Sequence, residues 1–303
     1  MASATPIAND QDAQATTCIA ASGDVVLVVG PSGKKLKVHS LFVVNASPVF
    51  NAILGPNFAE GQQLRKSGLA EVILPEDNAK AMEMIMNVVH GLNDKVPELL
   101  DPDELVEVAI TAEKYDCIGA LAFAIRSWLS CKVNITDPGK MWAMAMAALV
   151  FRRQKAFAEA TSALVLNYAG SYIGDIAKYE NVIDPVLLLK TAANMEEARN
   201  RLRMRLSTDL LNGDWCRNHY AVKAKQEYVR LISDCGQMSL SSAVKAMDKV
   251  CRAGGQDELC SDDEPESVGN INSNLKKIKM RHEKESGLCL RCVQTGEGHQ
   301  KHA

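Results

Sequence analysis

No apolar run in the sequence approaches the roughly 20 residues that a helix needs to cross a bilayer, so no membrane-spanning segment is expected. The opening stretch, MASATPIANDQDAQATT, has neither a basic cluster nor an apolar core and does not read as a secretory leader. The nine cysteines, at 18, 117, 131, 216, 235, 251, 260, 289 and 292, are odd in number and lack dense regular spacing. That argues against a disulfide scaffold and fits a reducing compartment, cytoplasm or nucleus. Charge of one sign is lacking as well. A formal net charge of −3 gives the whole chain no electrostatic case for nucleic acid or membrane binding. Aromatics are sparse at 5%, and Ala, Leu, Val and Met supply most of the apolar mass, which leans toward helices. No internal repeat is visible.

What is present suffices for about two domains: 303 residues, 47% of them apolar. Residues 1–21 are small and polar and read as a disordered lead-in. Structure is expected from Ser22, with Val25 to Val29 as a β-branched run that fits a strand buried on both faces. Gly30-Pro31-Ser32-Gly33 turns the chain into Lys35 to His39, which alternates with period two and predicts a hairpin. Helical signals follow at Ser40 to Asn45 and at Ser47-Pro48, a cap followed by proline where a missing N–H costs nothing. Glu71 to Leu74 reads as a third strand. Asn78 caps a helix whose Met82, Ile85, Met86 and Val89 share a face and which Gly91 ends. Asp101-Pro102-Asp103-Glu104 opens another, with Leu105, Val108, Ala109, Ala112 and Tyr115 on one stripe. A last one carries Ile118, Leu121, Ala122, Ile125 and Leu129.

Beyond Ile135 the pattern is helical. Helices are predicted after Asp137-Pro138, from Arg153 to Tyr168, and after Asp184-Pro185 with Leu188, Ala192, Met195, Ala198, Leu202, Leu206 and Leu210 buried. Composition changes at Gly254-Gly255, beyond which an acidic run (257–266) precedes a basic one (276–284). This stretch reads as a charged, flexible tail. The fold class is therefore α+β for 22–132, an all-helical region for 133–254 and a tail for 255–303.

Six segments in order, from Gly23-Asp24-Val25 through Val38-His39, Leu41 to Phe50, Asn57 to Glu60 and Val72 to Asp77 to Ala112 to Cys117, resemble the BTB/POZ domain family. Val88-Val89-His90-Gly91-Leu92, with Val96-Pro97, looks like its fungal branch. The resemblance implies a small sheet with a helical cluster and a role in protein–protein binding, including homodimers. Many members also dock the cullin scaffold of ubiquitin ligases through an apolar residue, any residue, then Glu, matched here by Phe58-Ala59-Glu60. On that reading Phe58 is the aromatic anchor and Glu60 the orienting charge; the competing reading has Phe58 plugging the core. The segment before Ser22 offers little apolar anchor, which argues against dimerisation by strand swapping.

Candidate chemistry is confined to a few places. Cys289-Leu290-Arg291-Cys292 has the spacing of a zinc knuckle, and His299 and His302 complete a ligand set for structural zinc, with Cys260 as a further thiolate. The competing reading is a set of thiols on a loose tail. Cys216-Arg217-Asn218-His219 is a lone pair of ligand types. Gly30 to Lys35 lacks the phosphate-loop pattern and lies in a hairpin. Arg199, Arg201, Arg203 and Arg205 spread around a helix and read as solvated. Asp24 and His39 end neighbouring strands and could pair, with His39 a satisfied core histidine. No catalytic constellation is present, so the expectation is an adaptor or scaffold rather than an enzyme, without a cofactor beyond that zinc. The alternative is a nuclear, transcriptional regulator whose basic Cys/His tail contacts nucleic acid.

Overall fold

Val25 to Val29 favour an extended chain, because the four β-branched valines around Leu27 would lose rotamer freedom against the preceding turn of a helix; extended, they alternate cleanly. A computed structural model describes residues 16–130, 137–212, 239–242, 245, 280 and 286–295. In it β2 (Val25–Val29) runs antiparallel to β3 (Lys34–Val38), with Leu27 opposite Leu36. Gly30 and Gly33, at φ of 74° and 65°, make the turn between them. β4 (Ala70–Leu74) joins the free side of β2 in parallel, with Leu27 opposite Val72. The expectation of burial on both faces is corrected: Val25, Leu27 and Val29 are buried, whereas Val26 and Val28 on the other face are only half-covered.

The start at Ser22 is corrected too. Thr17–Cys18 forms β1, parallel to β3, so the sheet has four strands in the order β1-β3-β2-β4, and Ile19 is buried. Residues 1–15 of the expected lead-in lie outside the described residues.

Helices follow and interleave with the strands. They are α1 (Ser40–Ala46), α2 (Pro48–Ile53), α3 (Ala59–Ser67), α4 (Ala79–Val89), α5 (Pro102–Lys114) and α6 (Ala122–Ser130), with α3 packing against β4 and α4 against β3. Local chemistry sets their ends. The Ser47 side chain accepts from Phe50 N–H, and Asn78 accepts from the N–H groups of Lys80 and Ala81. At the end of α4, Gly91 takes φ of 70° while its N–H reaches the Val88 carbonyl and that of Leu92 the Asn87 carbonyl, the paired bonds of a Schellman turn. Asp116, at φ 50°, does the same after α5, and Cys117 behind it is buried. Leu105, Val108, Ala109, Ala112 and Tyr115 are all buried, as their stripe predicts. In α6 the buried pair is Ile125 and Trp128, with Leu129 only half-buried; the Trp128 indole N–H donates to the Pro97 carbonyl at 2.9 Å.

The chain divides into two compact units, one of residues 1–100 and 107–128, the other of 101–106 and 129–303. In the second, Asp137 caps α7 (Pro138–Val150) by accepting from Gly139 N–H at 2.8 Å. α8 (Gln154–Asn167) returns against it, followed by α9 (Tyr172–Ile176), a 3-10 turn at Ala177–Tyr179, and α10 (Pro185–Asn212). The buried stripe of α10 includes Leu188, Ala192, Met195, Ala198 and Leu202; the side chains of Leu206 and Leu210 lie outside the described residues.

Two expectations for this region are corrected. Arg199 is not solvated. It is 5% exposed, its guanidinium lies 4.4 Å from the Tyr172 ring centroid, and it donates to the carbonyls of Gly170 and Tyr168 while pairing with Glu196. Burial pushes the Tyr172 phenol up to about 12, against the opposing pull of the Arg199 guanidinium. The tail, read as flexible from 255, holds a docked piece: residues 286–295 pack on α8 and end in the short helix α11 (Leu290–Thr295).

Candidate functional site

Phe58 and Glu60 are set by how α3 begins. Phe58 is its N-cap residue in extended conformation, and Glu60 lies in the first turn, where a carboxylate complements the helix dipole. Gly61, one residue on, is buried against the turn that ends α2: a Cβ there would stand 1.9 Å from the Gly55 carbonyl oxygen and 2.5 Å from that of Leu54. This backbone-to-backbone approach fixes the start of α3 and leaves Phe58 50% exposed. The reading in which Phe58 plugs the core therefore falls. Phe58 and the half-buried Glu60 are two residues apart on one helix start, a large apolar group next to an anionic one.

A second exposed apolar patch lies on α1, where Leu41 and Phe42 are 57% and 48% exposed. Phe42 is framed by the rings of His39, 5.8 Å away edge-on, and His90, 5.2 Å away. Period-three spacing in a seven-residue helix carried no signal for this. The histidines are tied down. His90 Nε2 accepts from His39 N–H at 3.0 Å, so its other nitrogen, Nδ1, donates to the Met86 carbonyl at 2.8 Å. Burial first, then the His39 charge, holds the His90 pKa below 6.5, against the opposing pull of the Met86 bond.

His39 is half-exposed and not a core histidine, which corrects that expectation. Its Nδ1 accepts from Leu41 N–H at 3.3 Å and lies 3.9 Å from Asp24, too far to be the main partner of that carboxylate. Asp24 instead accepts from Ser40, from N–H at 2.7 Å and from the hydroxyl at 2.6 Å. Burial raises the Asp24 pKa, but these bonds outweigh it and leave the group below its ordinary 3.8. Asp24 therefore pins the β3–α1 junction, a positioning task with no chemistry attached.

Beneath this surface Tyr115 gathers the pieces. Its ring stacks on Phe50 at 4.5 Å, its hydroxyl donates to Asp77 at 2.8 Å, and its carbonyl accepts from the Ser47 hydroxyl at 2.5 Å. Lys114 adds a 2.8 Å ion pair to the same Asp77. Burial, then the Asp77 bond, drives the Tyr115 phenol above its usual range, so it remains a donor.

Of the expected zinc ligands, Cys289 is half-buried at the start of α11 and Cys292 is buried within it. His299, His302 and Cys260 lie outside the described residues, as do Cys216 and His219. Among the described residues no three His, Cys, Asp or Glu side chains come together to hold a metal ion. No described helix is long and apolar enough to cross a membrane.

No curated protein matches the chain. Residues 18–123 match the family model of the BTB/POZ domain. That match takes in β2, β3 and β4, the last residue of β1, and the helices that present Phe42, Phe58 and Glu60. The chain thus carries a BTB/POZ domain, a protein-interaction module, at residues 18–123, followed by a helical region.

Proposed function

We propose that the protein is an adaptor whose BTB/POZ domain docks a cullin-type scaffold through Phe58 and Glu60. The observation that carries this reading is the half-exposed Phe58 at the N-cap of α3, held there by the close approach of Gly61. An exposed aromatic beside an anionic group is the pairing that makes an interface anchor: the ring supplies buried area, and the carboxylate orients the partner. Members of the family also dimerise, and Leu41 with Phe42 on α1 offers an apolar face for a second copy. The likeness to the fungal branch rests on Val88 to Leu92 and Val96-Pro97 alone. Structural zinc at Cys289, Cys292, His299 and His302 rests on their spacing alone.

The test is a pull-down with a purified cullin N-terminal domain. Wild type is expected to capture it, and Phe58→Ala and Glu60→Lys to weaken capture at least about tenfold, as for anchor residues of other interfaces. Undiminished capture by folded variants, or none by wild type, removes this reading.

A further inference from the structure

The helical region contains a built groove with an occupant. Residues 286–295 lie along α8 and against α10, and Ser286, Leu288, Leu290, Cys292 and Val293 are each no more than 8% exposed. Side chains of α8 read the backbone of this segment. The Gln154 amide oxygen accepts from Leu290 N–H at 2.7 Å, while its amide nitrogen faces the Leu288 carbonyl at 3.5 Å. The fully buried Thr161 hydroxyl accepts from Leu288 N–H at 3.0 Å and Ser162 meets Ser286 at 2.5 Å. At Gly287 the segment touches the helix itself, since a Cβ there would be 2.6 Å from the Ala158 carbonyl oxygen.

This is how a peptide is recognised: side-chain bonds to its main chain for affinity, a glycine for close approach, and buried apolar side chains for specificity. The α8 side is also nearly complete without the segment. Thr161 keeps its own donor bond to the Phe157 carbonyl at 2.8 Å, and Gln154 is exposed enough to be rehydrated. Emptying the groove takes one further partner from α8, the Ser286 hydroxyl on the half-buried Ser162, where water can replace it. The segment is also far away in sequence, 73 residues separating Asn212 at the end of α10 from Ser286.

We propose that the groove between α8 and α10 is a peptide-recognition site for a Gly-Leu-x-Leu-x-x-Val segment of a partner protein that turns helical at its second leucine, which residues 287–293 occupy in cis as a tethered competitor. This goes beyond the BTB/POZ reading and does not depend on it. Tethering makes the cis contact unimolecular, so a free peptide is excluded until the tether contact is weakened.

The experiment uses the full chain carrying Gly287→Val, whose side chain cannot approach Ala158, and a fluorescein-labelled synthetic peptide of residues 284–297. In an anisotropy titration the variant is expected to bind this peptide at least about tenfold tighter than wild type does. Adding Thr161→Val and Gln154→Ala to the variant should abolish binding. Equal binding by wild type, or none by a folded Gly287→Val chain, overturns the proposal. Should that variant fail to fold, hydrogen exchange on wild type decides. Leu288 and Leu290 amides that open well before those of α7 support a detachable occupant, and protection equal to the α7 core overturns it.

Discussion

Gly61 carries nothing beyond its backbone, yet it controls where Phe58 and Glu60 stand. Gly61→Ala forces a methyl into the Gly55 and Leu54 carbonyls, so α3 must shift. Destabilisation of about 1–3 kcal/mol is expected from such overpacking, together with loss of cullin capture. Urea denaturation and the same pull-down would show both, and a variant as stable as wild type would mean that the approach is loose. His90 gives a pH dependence. His90 titrates below 6.5 in the folded chain and near 6.5 unfolded, so the unfolded state takes up the proton first. The contribution of His90 is complete above pH 6.5 and is lost as pH falls through its folded pKa. Urea midpoints should therefore drop less steeply below pH 6.5 for His90→Gln than for wild type; parallel curves would contradict this. Thiol reactivity should also divide. Cys18 is exposed, whereas burial, then the nearby Asp116 charge, pushes Cys117 up to about 12. Iodoacetamide at pH 8 should label Cys18 in the native chain and spare Cys117 until denaturant is added, as peptide mapping would reveal.

At the scale of elements, what the sequence makes legible is what is local. Ser47-Pro48, Asn78 and Asp137-Pro138 cap helices because the capping atoms sit within three residues of the N–H groups they bind. β1 was not legible: its partner, β3, is 19 residues away, and Thr17–Cys18 has too few residues to show an alternation. Arg199 misled for a related reason. Four arginines at alternate positions look solvated, and only the α9 turn, with the Tyr172 ring, shows why one of them is inside. The docked 286–295 was hidden by its charged flanks. Phe58 and Glu60 were legible as a motif, but their exposure depends on Gly61 meeting a turn that ended seven residues earlier. Gly91→Ala isolates one element end. No atom lies within 4 Å of the added Cβ, so the left-handed backbone at φ 70° alone should cost about 1–2 kcal/mol. Chemical denaturation that shows no loss would mean that the α4 end relaxes freely.

At the scale of the molecule, the BTB/POZ domain exposes two apolar patches, Leu41 and Phe42 on α1 and Phe58, beside Glu60, on α3. If α1 carries self-association, light scattering should show a dimer that Phe42→Asp converts to monomer while cullin capture persists. A variant that remains dimeric places the contact elsewhere. Tyr115 bears on how such a domain is born. It bonds to Asp77 and Ser47, 38 and 68 residues upstream, so these two long-range ties form only after residue 115 has left the ribosome, although α4 already reaches β3 and α1 without it. Chains stalled with Tyr115 still in the exit tunnel should be cut readily by protease, and longer ones should resist. Until then the domain lacks two of its long-range ties, and the residue that supplies both is an aromatic near its end.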